Sequence, residues 1–151
     1  MCKHLIHRIE KVLDGRTQDV DPAERTRIAV GALLVECARI DSSYSDADRQ
    51  AVADALTGLF DLDPEVTDAL VAVAEKRSEE VWHDWILTQA VKRGFDADGR
   101  RALIAELWRI TQTNGVLENR EQGFIERIAR ELELSEEDVE ALRAGAEVGG
   151  R

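Results

Sequence analysis

Apolar residues recur along this chain at spacings of three and four. Val30, Leu33, Leu34, Cys37 and Ile40 share one helical face, and Val52, Ala55, Leu56, Leu59 and Phe60 share another. The pattern returns at Leu103, Ile104, Leu107, Trp108 and Ile110, and again at Ile125, Ile128, Ala129 and Leu132. Side chains at these spacings line one side of an α-helix, so each stretch needs an apolar surface to pack on. No alternating run of β-branched or aromatic residues of strand length stands out against it. The chain is therefore read as all-α.

Cap chemistry marks where the helices begin and end. Asp21-Pro22 and Asp63-Pro64 each place an N-cap acid before a proline at the first helical position. Ser45 to Asp48 and Ser135 to Asp138 resemble capping boxes with Asp for the usual Glu. Asp84 can cap a helix that Gly94 stops, and Asp96 can start the next. These signals predict helices over 3–14, 22–41, 46–60, 64–77, 85–93, 97–113, 119–132 and 136–145. Residues 1–16 read as an N-terminal amphipathic helix, Gly15 to Val20 as a short linker, and residues 22–145 as the main domain. The tail, residues 146–151, is expected to fray together with Gly145.

Two polar knots interrupt the pattern, "DSSYSDADRQAV" from Asp41 and "NGVLENREQGFI" from Asn114. They belong to an internal echo. The stretch from Leu33 to Leu70 lies over that from Glu106 to Leu142, with an offset of 73 through the knots and 72 by Leu62 and Leu134. Each half reads long helix, polar turn, helix, short turn, helix. Two copies suggest a pseudo-symmetric bundle and are too few for a solenoid. The segment "KRSEEVWHDWILTQAVKRGFDADG" connects them.

Composition narrows the function classes. With 44% hydrophobic and 34% charged residues in 151, the chain can bury a core of its own. The net charge of -11 repels phosphate backbones, so nucleic acid is not an expected partner. The charge is uneven. Residues 1–16 carry four Lys or Arg against two acids, and residues 17–80 carry fifteen acids against six bases. An acidic surface suits cations or basic partners, and also serves solubility alone. No apolar run nears the roughly 20 residues of a membrane span, and no signal peptide is evident, so the cytoplasm is the expected compartment. Cys2 and Cys37 are not expected to pair. A membrane contact through the basic face of residues 3–13 would be peripheral.

The stretch "LLVECARIDSSYSDADRQAV" resembles the first hallmark of the TerB-like (tellurite resistance) family, an E-x-A-x-x-D-G-x-x-S-x-x-E pattern. "LIAELWRITQTNGVLENREQGFIERIARELELSEEDV" resembles its second half, which reads LWR, ADGELDxxE and IRRIADLLGLS in order. The resemblance covers about residues 22–145. It implies an all-α helical bundle of about seven or eight helices in two pseudo-symmetric halves. It also implies a non-enzymatic accessory of tellurite and general stress resistance, with an unidentified protein partner. No cofactor is required. The family's acidic motif residues suggest a divalent-cation site, which carries over to Asp41 and Asp48 in the first knot and Asn114 and Glu121 in the second. The sequence departs from the pattern at Ser42 for Gly, Asp48 for Glu, Asn114 for Asp and Val116 for an acid. A site built from these residues would carry less charge than the pattern implies.

The same knots admit a reading without any ligand. Ser45 with Asp48 caps a helix, Asn114-Gly115 is a turn dipeptide, and Asn119 with Gln122 or Glu118 with Glu121 can cap the next helix. Partner docking on the knots is a third reading. Neither knot is an EF-hand, because Val52 stands where the bidentate Glu belongs and Asp46 where the Gly belongs. Cys2, His4 and His7 bunch near the terminus but lack a fourth ligand. His83 has no nucleophile motif near it. A carboxylate-based enzyme would need a cleft and a raised pKa, which spacing alone does not supply.

Overall fold

The structure is a computed structural model, and it describes residues 21–40, 44–80, 84–112 and 119–149. The expected helix at 3–14, the Cys2, His4 and His7 group and His83 lie outside these residues. The described residues form seven α-helices and no strand. They are α1 (Pro22–Arg39), α2 (Asp46–Phe60), α3 (Pro64–Glu80), α4 (Asp84–Gly94), α5 (Ala97–Thr111), α6 (Asn119–Glu131) and α7 (Glu136–Gly149).

Helix α1 is the axis of the fold. Its residues from Ile28 to Val35 are buried without interruption, so no side of that stretch faces water. A helix apolar all round must be surrounded. Accordingly α1 packs against α2, α3, α4, α5 and α6. The Asp21 carboxylate accepts from the Ala23 N–H at 3.0 Å and starts the helix ahead of Pro22. Two small contacts let its neighbours come close. A Cβ on Gly31 would lie 2.8 Å from the Ala74 Cβ on α3, and one on Gly94 would lie 2.0 Å from the Thr26 Oγ1.

The echo in the sequence is an echo in the fold. Helix α1 packs on α2 and α3 as α5 packs on α6 and α7, although the contact between α2 and α3 has no counterpart of like extent between α6 and α7. The correspondence reaches single backbone angles. Asp61 after α2 has φ 52° and Glu133 after α6 has φ 65°, the only non-glycine residues with positive φ among those described. They stand 72 apart, the offset of the echo at that point. A left-handed residue closes a helix because its N–H can reach back to an orphan carbonyl. Asp61 N–H does so to Thr57 O at 2.8 Å, and Glu133 N–H to Arg130 O at 2.9 Å.

One core serves both halves. Leu33, Leu34, Leu56 and Leu70 from the first join Leu103, Leu107, Ile125, Ile128 and Leu132 from the second, all fully buried. Helix α4 seals the seam through Leu87 and Val91. Its buried Thr88 hydroxyl lies 2.8 Å from Glu131 Oε1 and 3.0 Å from Trp85 O. Arg100 of α5 clamps the seam from outside. Its guanidinium donates to Lys92 O at 3.0 Å, Phe95 O at 3.1 Å and Leu132 O at 3.3 Å. Cationic donors at helix ends satisfy carbonyls that the helix itself cannot. Cys37 is a buried thiol directed at Leu107 O, 3.7 Å away, and takes part in no disulfide.

The observed helices differ from the expected ones mostly at their ends. Helix α1 stops at Arg39 instead of 41, α3 runs on to Glu80, and α5 ends at Thr111. Helix α7 continues through Gly145 to Gly149, where a stop at 145 was expected. Nothing lies within 4 Å of where a Gly145 Cβ would be, so that glycine is not there for a close approach. Its cost inside a helix is about 1 kcal/mol, small enough for the flanking alanines to carry the helix past it.

Candidate functional site

The first knot leads into α2 through a complete capping box. Ser45 Oγ accepts from the Asp48 N–H at 3.2 Å, and Asp48 Oδ2 accepts from the Ser45 N–H at 2.9 Å and Oγ at 3.1 Å. This is the arrangement expected from the Ser45–Asp48 spacing. It leaves Asp48 only 6% exposed, and a carboxylate so placed depends on such donors. The positive end of α2 helps to hold its charge.

A second set of polar contacts surrounds that cap. The Tyr44 hydroxyl donates to Glu75 Oε2 on α3 at 2.5 Å. Arg49, one residue past the cap acid, pairs with the same oxygen at 3.3 Å and with Asp68 at 3.1 Å. Arg39 at the end of α1 lies 5.0 Å from the Tyr44 ring centre, donates to Glu75 O and pairs with Glu79 at 3.6 Å. Burial, then the hydrogen bond and charge of Glu75, push the Tyr44 phenol well above its ordinary pKa. Tyr44 thus ties the first knot to α3 as an uncharged donor. Sequence reading missed this cluster. Its signal is faint, since Glu75 lies 31 residues from Tyr44 and only the fold joins them.

The second knot enters α6, where Glu121 takes the place that Asp48 has in α2. Each is the third residue of its helix, 73 apart, and Glu121 is 3% exposed. Both acids that were singled out in the described residues are therefore buried at the head of equivalent helices. Asp41 and Asn114, the other two, lie outside the described residues. Among the described residues no group of three or more His, Cys, Asp or Glu stands where it could hold a metal ion. Asp48 and Glu121 alone do not make a cation site, and a hard cation needs several oxygens at short range.

The paired halves, the knots at matching places and the two buried acids agree with one comparison. Residues 27–144 match the family model described as Tellurite resistance protein TerB. The chain belongs to the TerB family. The match begins inside α1 and ends inside α7, so it takes in both halves of this TerB domain and its connecting helix. A search of the curated proteins finds no match, and neither does a search of the solved structures. No helix among the described residues is long and apolar enough to cross a membrane.

Proposed function

We propose that this protein is a non-enzymatic, cytoplasmic accessory of tellurite and stress resistance that acts by binding. It takes a protein partner through its acidic surface and a divalent cation at the knots. The observation that carries the reading is the repetition of a buried carboxylate, Asp48 and Glu121, at the head of equivalent helices in the two halves. A cap alone would account for the first. In the second half Glu118 stands in the position of Ser45, so the hydroxyl–carboxylate box cannot recur in the same form. In sequence the second knot instead carries Asn114, Glu118 and Glu121. Oxygen donors at that density suit a hard cation completed by backbone carbonyls and water. The family match supports a resistance accessory over an enzyme.

The test is a titration of isotope-labelled protein with calcium and then zinc, followed by backbone amide shifts. Saturable shifts over residues 41–48 and 114–121 are expected, and their loss in Asp41→Asn/Asp48→Asn. Asparagine keeps an acceptor for the Ser45 N–H, so the control removes charge and leaves the cap. An unchanged spectrum, or the same diffuse response in wild type and variant, would reduce the knots to turns and caps.

A further inference from the structure

A different part of the molecule carries a groove that no helix of the described residues fills. Between the start of α1 and the end of α4 runs a groove of about 360 Å³. Its apolar walls come from Phe60, Phe95 and Ala90, and its rim from Arg25, Arg27 and Arg93. The two rings sit 5.7 Å apart at 41°. Among the described residues no acid lines the groove, in a chain with 31 acids against 20 bases. The position is built and not incidental. The Thr26 hydroxyl donates to Pro22 O at 3.0 Å and lies 3.5 Å from Ala90 O, and Gly94 leaves room for Thr26 between the two helices.

Charge and shape together select the ligand. The Arg27 guanidinium lies over the Phe60 ring, 5.7 Å from its centre. Stacking of this kind holds the plane and leaves N–H edges for a carboxylate. Arg93 stands one turn beyond Ala90 on α4, and Ile86 stands one turn before it on the same face. Ile86 is 48% exposed, so the apolar wall continues past the groove onto open surface. We propose that the groove binds a small apolar carboxylate, an acyl-chain anion, with its head between Arg27 and Arg93 and its tail along Ala90 toward Ile86. Its volume falls near the lower end of ligand pockets, which span about 300–1,000 Å³.

The experiment uses the full chain and three probes that share a ten-carbon tail: decanoate, decanol and decylammonium. Amide shifts and calorimetry are expected to show one decanoate per chain, with shifts confined to residues 23–27, 60 and 86–95. Decanol should bind about tenfold more weakly, and decylammonium weaker still. Arg27→Gln and Arg93→Gln should each weaken decanoate by about tenfold and leave decanol unchanged. Ile86→Gln should weaken both. Decanol binding as tightly as decanoate would overturn the role of the arginines. Absent decanoate binding, or shifts elsewhere in the molecule, would overturn the site. None of these readouts depends on a metal at the knots, so the two proposals stand or fall separately.

Discussion

Tyr44 is the chain's single tyrosine, and its phenol can be followed alone by ultraviolet absorbance. Because its pKa is raised in the fold, the native state keeps a proton that the unfolded state releases from about pH 10 upward. The stability it contributes is complete below that pH and declines as pH rises toward the folded value. Denaturant melts at increasing alkaline pH should show wild type losing stability faster than Tyr44→Phe, and a spectrum in which Tyr44 titrates at its ordinary pKa would sink the assignment. The left-handed residues give a second test at this scale. Asp61 occupies a backbone region that costs a side-chain-bearing residue about 1–2 kcal/mol, against about 0.5–1 kcal/mol for the extra unfolded freedom of glycine. Asp61→Gly should therefore stabilise the protein by up to about 1 kcal/mol in chemical denaturation. Glu133→Gly should gain less, since it also removes ion pairs to Lys92 and Arg100 at 3.5 and 3.7 Å.

Among the elements, α1 is held by neighbours that approach where its side chains are small. Gly31→Ala puts a methyl 2.8 Å from Ala74 and should cost about 1–3 kcal/mol by overpacking. Ala74→Gly should recover part of that loss, and a double-mutant cycle would measure the coupling. Additive losses would mean that α1 and α3 adjust independently of this contact. Arg100 plays the matching part at the other seam. It donates to carbonyls at the ends of α4 and α6, and a lysine cannot reproduce that planar fork. Arg100→Lys should thus destabilise the protein by about 1.5–3 kcal/mol, near what Arg100→Ala costs.

At the scale of the whole molecule, the two halves share one core and should not unfold separately. Tryptophans occur only at positions 82, 85 and 108, in the connector and the second half, whereas helical circular dichroism reports on both halves. The two signals should give one coincident transition. Leu34→Ala in the first half should lower both midpoints together, as should Leu107→Ala in the second, each costing about 2–5 kcal/mol of stability. Separate transitions would mean two units joined by α4 and not one.

The sequence by itself determined the helical class, the helix starts and the doubling of the chain. These are local properties: cap chemistry at Asp21, Ser45 and Asp96 acts within four residues, and periodicity within one helix. The same locality explains the errors at helix ends, because where α3 or α7 stops depends on what packs beside it. Asp48 was legible as a cap acid from its spacing to Ser45. Its partners beyond the cap were not, since Tyr44, Glu75 and Arg49 meet through the packing of α2 on α3. The arginine-rimmed groove was equally invisible, because Phe60 belongs to the first half and Arg93 to the connector, and they carry no mutual signal in the chain. Periodicity says which face of a helix is apolar, and only the tertiary structure decides which other face it meets.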